Sequence, residues 1–387
     1  MRSLPRLVVV LGAISLANDA ASEMITPLLP LFLTSVLGAG AAAVGGVEGV
    51  AAATASLLQL VAGRLADRGV PARTLMLGGY GVSNAARPAI ALATGWPFVL
   101  AMRFVDRAGK GLRTAPRDAV LAAAVGAGER GRAFGFQRAM DHTGAMLGPL
   151  AAAALLAAHV PLRTVFAISV VPGAAVVALV ALGVPRRARA PADAAAPLHW
   201  RGLDPRLRAL VVAAGAMAFA AIPDAFLVLW ASGRGVAVAR VPLLWAFAHA
   251  GKALVAGPAG RLSDRAGRLR VVVAGWGARV AILLALAALP ASEIATWAGF
   301  LAYAVALAST EGAERALIGD AAPPAARGTA FGLYDLTVGI LALPGGLLFG
   351  FAWQRLGSAR TLELAATLTA ASAGALGLLA RRATRAP

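Results

Sequence analysis

Long apolar runs recur along this chain of 387 residues, and they limit its possible folds more than any other feature of the sequence. Runs of about 18 residues or more are long enough to cross the hydrocarbon core of a bilayer as α-helices. The runs are continuous and rich in Ala, Leu and Val rather than alternating, which favours helices over the strands of a barrel. Only 14% of the residues are charged, against about 25% in soluble domains. The sequence therefore predicts an all-α membrane protein.

The apolar runs predict twelve transmembrane helices, the first from about residue 7 to 37 and the seventh from about residue 209 to 231. One long polar linker, residues 185–208, separates two predicted six-helix bundles, residues 1–184 and 209–387. We interpret the N-terminal run as a retained first helix rather than a cleaved signal peptide, because polar residues interrupt it and apolar sequence then resumes.

Arginine is concentrated in the loops that follow even-numbered helices and in both tails. Basic residues mark the cytoplasmic side of a membrane protein, so we expect a multi-pass protein of the inner (plasma) membrane with both termini cytoplasmic. This bias accounts for the net charge of +18 without a nucleic-acid partner. The chain has no cysteine and no recognisable nucleotide loop, catalytic triad or metal-ligand cluster, so neither an enzyme nor a cofactor or metal site is predicted.

Two short motifs repeat at one offset. Gly63–Arg68 recurs as Gly260–Arg265, and Arg130–Gly135 recurs as Arg327–Gly332, with offsets of 260 − 63 = 197 and 327 − 130 = 197. Two matches at the same offset indicate that the second half repeats the first in parallel, a plan that transporters use. The two predicted bundles are therefore expected to be pseudo-symmetric.

These motifs resemble those of the major facilitator superfamily (MFS) over essentially the whole chain. The resemblance implies a cytoplasmic gate motif after helices 2 and 8, in which a glycine permits close helix contact and Asp and Arg form a latch. Its residues are Gly63, Asp67, Arg68, Gly260, Asp264, Arg265 and Arg268. Helix 5 is similar to the antiporter motif of MFS exporters at Gly144, Gly148 and Pro149, without the trailing glycine pair of that motif. The stretch Arg103–Gly111 looks like the family's helix-4 arginine motif.

Helix 4 concentrates charge on one face. At about 100° per residue, six charged side chains share roughly 120° of its surface, and they are Arg103, Asp106, Arg107, Lys110, Arg113 and Arg117. Charges inside a membrane are costly and must face protein or water. The face is either the wall of a cavity that binds an anionic group of the substrate, or a set of ion pairs with the carboxylates of Asp19, Glu23, Glu48, Asp106 and Asp141.

Other charged residues extend the candidate site. Asp19 and Glu23 lie four residues apart on one face of helix 1 and are candidates for proton coupling, or else counter-ions to helix 4. Asp224, Glu311 and Glu314 are further candidates for the cavity wall. Helices 3, 6, 9 and 12 carry little charge beyond Arg87 and Arg279, which the resemblance explains by making them outer supports.

Together these features predict a monomeric secondary active transporter of a small solute, exporting it by proton-coupled antiport and alternating access. Its partners would be the substrate, protons and the lipid bilayer. One alternative is a proton-coupled importer of an organic anion, such as a metal chelate or a phosphorylated solute. Alternatives of other classes are a non-transporting membrane receptor and an integral-membrane enzyme, and the two gate motifs and the missing catalytic residues argue against them.

Overall fold

The computed structural model describes residues 4–67, 70–126, 130–186, 204–322 and 327–383, and helices account for nearly all of them. The first half contains α1 (Arg6–Glu23), α2 (Ala41–Asp67), α3 (Ala72–Ala89), α4 (Trp96–Ala123), α5 (Arg130–Ala157) and α6, which consists of Leu162–Ile168 and Val170–Gly183. No strand occurs within these described ranges. The long linker lies mostly outside them.

The second half contains α7, in two segments (Pro205–Ala220 and Asp224–Ser232), α8 (Val241–Ala266), α9 (Arg268–Ala288) and α10 (Glu293–Ala321). The last helical run is Arg327–Ala383. Gly357 divides this run into α11 and α12, because its φ of 79° and ψ of 177° are not helical. The described chain thus carries the twelve helices that its hydropathy predicts.

Prolines interrupt two of the predicted helices. The first helix was expected to reach residue 37, but α1 ends at Glu23, and the chain continues through the short helix Leu29–Leu31 and the π-helical turn Phe32–Val36. Pro27 and Pro30 lie in this interval. The seventh helix is interrupted after Ala220, where Pro223 precedes its second segment. A proline has no N–H for the helical ladder and clashes with the carbonyl four residues earlier, so a break is expected at such positions.

Six helical stretches of the described residues are long and apolar enough to cross a membrane by length and composition: Ala41–Gly63, Leu162–Gly183, Pro205–Ser232, Arg268–Ala288, Glu293–Ala321 and Ala330–Gly377. The last of these contains both α11 and α12. α4 is of comparable length but carries six charged side chains on one face, and this lowers its mean hydropathy.

Tertiary contacts divide the chain into two compact units. Unit 1 comprises Met1–Ala39, Val50–Ala194 and Val238–Ala246, and unit 2 comprises Gly40–Gly49, Ala195–Ala237 and Phe247–Pro387. In unit 1, apolar residues of α1, α3 and α6 form a core around Leu11, Tyr80 and Val180. In unit 2, α7, α9 and α12 meet around Met217 and Trp276. These cores hold the charged helices α4 and α10 against their neighbours.

Candidate functional site

Asp106 is the centre of a buried charge cluster in unit 1. The side chain of this α4 residue is fully buried and accepts hydrogen bonds from the Ser83 hydroxyl and from Arg87 Nε at 2.9 Å. Arg103 Nη1 lies 3.4 Å and Arg107 Nε 3.5 Å from its other carboxylate oxygen. Three guanidinium groups thus surround one carboxylate, and burying such a charge is tolerable only because it is paired and hydrogen-bonded.

Arg87 joins three helices to this cluster. Its Nη1 donates to Asn18 Oδ1 on α1 at 3.1 Å and to Asn84 Oδ1 on α3 at 3.0 Å, while its Nε bonds Asp106 on α4. From the sequence, this arginine was expected only as an exception on an outer helix and was not predicted to belong to the site. The available signal was its position, because an arginine within a membrane helix that is otherwise charged only at Arg73, in its first turn, requires a partner on a neighbouring helix.

Lys110 differs from the arginines of the α4 face. Its side chain is exposed, and no described acidic side chain lies within ion-pair distance of its Nζ. The face is therefore divided: Arg103 and Arg107 contact Asp106, whereas Lys110, one turn beyond Asp106, does not. Further along, Arg113 donates to Ser83 Oγ at 3.2 Å and stacks over the Tyr80 ring.

Asp19 and Glu23 are held by neutral donors. Asn18 Nδ2 donates to Asp19 Oδ1 at 2.9 Å, and Trp245 Nε1 donates to Glu23 Oε2 at 2.9 Å. Neither carboxylate forms an ion pair with a described basic side chain. The charges that act on Glu23 through space are those of Asp19, Arg107 and Lys110, so residues of α1 and α4 share one electrostatic environment.

Nearer the end of α4, Arg117 forms an ion pair of 2.9 Å with Asp118 and donates to Ser15 Oγ on α1 at 3.3 Å. Asp141 on α5 lies 3.9 Å from Arg138, a loose pair within one helix. The bond from Arg117 to Ser15 joins α4 to α1 at this level, and these contacts are separate from the Asp106 cluster.

A second buried pair lies in unit 2. Glu314 Oε1 on α10 accepts hydrogen bonds from Trp276 Nε1 at 2.7 Å and from Arg279 Nη2 at 3.2 Å, both on α9. Arg279 also donates to Thr310 Oγ1 at 2.5 Å. As with Arg87, an arginine in the apolar part of a helix is the partner of a carboxylate on the next helix. Glu311 is exposed and has no ion pair among the described residues.

Asp224 has the other lysine of the chain as its neighbour. It begins the second segment of α7, directly after the proline break, and its Oδ2 lies 3.7 Å from Lys252 Nζ on α8. Both side chains are partly exposed, with 38% and 20% of their surfaces accessible. This loose pair is separate from the Glu314 pair, so the structure distributes the acidic candidates of unit 2 over distinct environments.

The second gate motif joins three helix ends. Arg268, the first residue of α9, lies 2.6 Å from Asp320 on α10 and 3.7 Å from Asp264 on α8, and it donates to the carbonyl of Ala316 at 3.0 Å. Arg265 is exposed. A Cβ at Gly260 would meet no described atom within 4 Å, and the same is true of Gly63. In the first copy, the side chain of Asp67 and the whole of Arg68 lie outside what the structure describes.

The antiporter-like motif packs α5 on α1. A Cβ at Gly144 would clash with the carbonyl oxygen of Leu16, and one at Gly148 with that of Ala20. Pro149 follows inside the helix. These glycines therefore let the two backbones approach, as small residues commonly do between membrane helices.

Comparison with known proteins agrees with these features. Residues 11–346 match the sequence profile described as Major Facilitator Superfamily. An uncharacterized MFS-type transporter of Methanocaldococcus jannaschii is 28% identical over 91% of this chain and 90% of its own length. An uncharacterized protein of Mycobacterium tuberculosis is 29% identical over 90% of this chain and 87% of its own.

Solved structures share the fold at low sequence identity. A bacterial homologue of the human lysosomal transporter Spinster, in an inward-facing and occupied conformation, aligns with a TM-score of 0.77 and 17% identity over 97% of this chain and 96% of its own. The nucleoside transporter NupG aligns with a TM-score of 0.80 and 13% identity over 97% and 99%. These likenesses confirm the predicted all-α fold of twelve transmembrane helices in two six-helix bundles.

The family also decides the class of function. Its members of known structure that align here are transporters, and the profile covers most of the chain. The protein is therefore a multi-pass membrane transporter of a small molecule rather than an enzyme. The chain belongs to the major facilitator superfamily.

Proposed function

We propose that this transporter exports a small solute with an anionic group in exchange for protons, by alternating access. The observation that carries the proposal is the division of the α4 face: Arg103 and Arg107 are paired with Asp106, while Lys110 has no described carboxylate in contact. A cation exposed beside a buried cluster of like charge can bind a carboxylate or phosphate of the substrate. Arg107, 13% exposed and adjacent, would support the same group.

Proton coupling is assigned to Asp19 and Glu23 because of the donors that hold them. Protonation of Asp106 would remove the negative charge that Arg87, Arg103 and Arg107 share. Asp19 and Glu23 accept instead from an amide and an indole, so either can gain or lose a proton without stranding a buried cation. In this proposal Asp224, Glu311 and Glu314 are the residues of the second bundle that line the substrate cavity.

Export is proposed over import on the likeness of Gly144, Gly148 and Pro149 to the exporter motif. Import of an organic anion, such as a metal chelate or a phosphorylated solute, would use the same residues with the opposite direction of net flux. The protein is proposed to act as a monomer in the inner membrane, with both termini and residues 185–208 in the cytoplasm, on the distribution of arginine.

The test uses purified protein in liposomes with a panel of labelled carboxylates, phosphorylated sugars, neutral sugars and organic cations. Counterflow identifies a substrate, and an imposed pH gradient then shows whether and in which direction it is driven. Lys110→Gln should weaken counterflow of an anionic substrate at least tenfold, because the counter-charge is lost. Arg360→Gln is the matched control, since that side chain is 72% exposed at the start of α12.

Two outcomes would overturn the proposal. Transport confined to neutral or cationic solutes, unaffected by Lys110→Gln, would remove the anion site. Accumulation that is independent of the pH gradient in the unmodified protein would remove proton coupling. In inverted vesicles, whose cytoplasmic face is outside, an exporter must carry the substrate from the medium into the vesicle.

A further inference from the structure

Two helices are shared between the compact units. α2 is continuous from Ala41 to Asp67, but its residues up to Gly49 belong to unit 2 and the rest to unit 1. α8 is continuous from Val241 to Ala266, but its residues up to Ala246 belong to unit 1 and the rest to unit 2. We call Gly40–Gly49 and Val238–Ala246 the exchanged segments, because each belongs to the unit of the other half. They occupy equivalent positions of the two halves by the repeat offset, since 238 − 197 = 41 and 246 − 197 = 49.

Close backbone contacts at glycines hold the start of α2, up to Gly49, in unit 2. A Cβ at Gly346 would lie 2.6 Å from the carbonyl oxygen of Gly45, and one at Gly350 would lie 2.8 Å from Cα of Ala42. A Cβ at Gly49 would similarly meet Leu343 Cα at 2.8 Å. These contacts are made by backbone atoms, and their strength does not depend on the protonation of the residues that form them.

Apolar packing and a side-chain hydrogen bond hold the start of α8 in unit 1, where Val241 and Leu244 are buried. Trp245 is 7% exposed, and its Nε1 donates to Glu23 Oε2 at 2.9 Å. Glu23 lies on α1, so the bond ties the first turns of α8 to the helix that carries both proton-coupling candidates. The indole N–H is a donor only, so it pairs here with an acceptor, the Glu23 carboxylate.

We propose that Trp245 is a positioning residue for the start of α8. Its hydrogen bond to Glu23 helps to hold this segment, and the strength of the bond depends on whether Glu23 is ionised. When Glu23 is ionised, the bond is charge-assisted and roughly twice as strong as one to a neutral acceptor. When Glu23 is protonated, the bond weakens and residues 238–246 are held less tightly in unit 1, although Val241 and Leu244 stay buried there. This inference rests on the proposed role of Glu23 as a proton carrier, and it adds the element on which that proton acts.

The surroundings of Glu23 suit such a switch. Asp19 on α1 repels its negative charge, and Arg107 and Lys110 on α4 attract it. α5, which packs on α1, contributes Asp141, whose charge acts on Asp19. The segment Val241–Ala246 has no titratable side chain, but Arg240 precedes it, His249 follows about one turn later on α8, and α5 also carries Arg138 and His142. Glu23 is the acceptor in the bond from Trp245, so its protonation changes that bond directly. An anionic substrate at Lys110 would remove part of the attraction and favour protonation.

Hydrogen–deuterium exchange of the protein in lipid nanodiscs tests the proposal. After correction for the intrinsic rate at each pH, exchange of residues 241–246 should rise about tenfold as the pH is lowered through the range in which transport is driven, whereas residues 41–49 should not respond. Trp245→Phe removes the donor and keeps an aromatic ring. It should give the fast exchange at every pH and flatten the pH profile of turnover, with little change in KM. Glu23→Gln should likewise abolish the pH response.

Trp230→Phe is the matched control, because the Nε1 of that buried tryptophan has no hydrogen-bond partner. It should leave the pH response of residues 241–246 intact. A pH response that survives in Trp245→Phe or Glu23→Gln would overturn the inference. The two levels are separable, because loss of pH-driven transport in Glu23→Gln with unchanged exchange would refute the switch alone, while retained pH-driven transport would refute Glu23 as the proton carrier.

Discussion

Replacing Asp106 by asparagine should destabilise the protein more than any other neutral substitution of a carboxylate. The side chain is fully buried, and its charge is the common partner of Arg87, Arg103 and Arg107. Asparagine keeps the size and one acceptor oxygen but removes the charge. Breaking one partner of a buried ion pair costs about 3–5 kcal/mol, and the three cations left here place the expected cost at the upper end of that range.

A double substitution separates the charge from the packing. Asp106→Asn combined with Arg87→Gln removes the shortest pair, at 2.9 Å, and should recover about 1–3 kcal/mol relative to the sum of the single changes. The free energy of unfolding would be measured in mixed micelles for both single variants and the double variant. Asp264→Asn is the control, because that carboxylate is 67% exposed and its pair with Arg268 spans 3.7 Å. It should change stability by less than about 1 kcal/mol.

An Asp106→Asn protein within about 1 kcal/mol of the unmodified one would refute this reasoning. So would a double variant whose destabilisation is simply the sum of the two single effects. Either result would mean that the guanidinium groups do not depend on Asp106 for their compensation.

Further expectations concern the gate, the topology and the packing. Asp67→Asn and Asp264→Asn should each slow transport while the protein remains folded in the membrane; unmodified rates for both would remove the latch assignment. Ala195→Cys, made in a chain without native cysteine, should react with an impermeant thiol reagent only in inverted vesicles, and labelling of intact cells would contradict the orientation. Gly148→Ala should cost about 1–3 kcal/mol, because its Cβ meets the α1 backbone. Gly277→Ala, with open space around it, should be neutral or stabilising by up to about 1 kcal/mol, and equal losses at both sites would show that contact is not the cause.

The sequence by itself determined the architecture. Lipid leaves a spanning segment no solvent to satisfy its backbone, so the length and continuity of an apolar run translate directly into a helix. The recurrence of motifs at an offset of 197 residues likewise predicted two related halves, and the gate motifs indicated the transporter family. The charged face of α4 was also readable, because helical periodicity places residues of one helix relative to each other.

Only the tertiary structure decided which charges meet. Periodicity on one helix does not give the rotation or depth of its neighbours, so Arg87 and Arg279 could not be assigned to Asp106 and Glu314 from their positions in the chain. For the same reason the role of Trp245 could not be predicted, because its bond to Glu23 joins residues 222 positions apart. The sequence also did not show which charged residues of the α4 face are paired. Arg103 and Arg107 lie within 3.5 Å of Asp106, whereas Lys110, four residues further on the same helix, does not pair with it, because helical periodicity fixes the face of a side chain but not its rotamer.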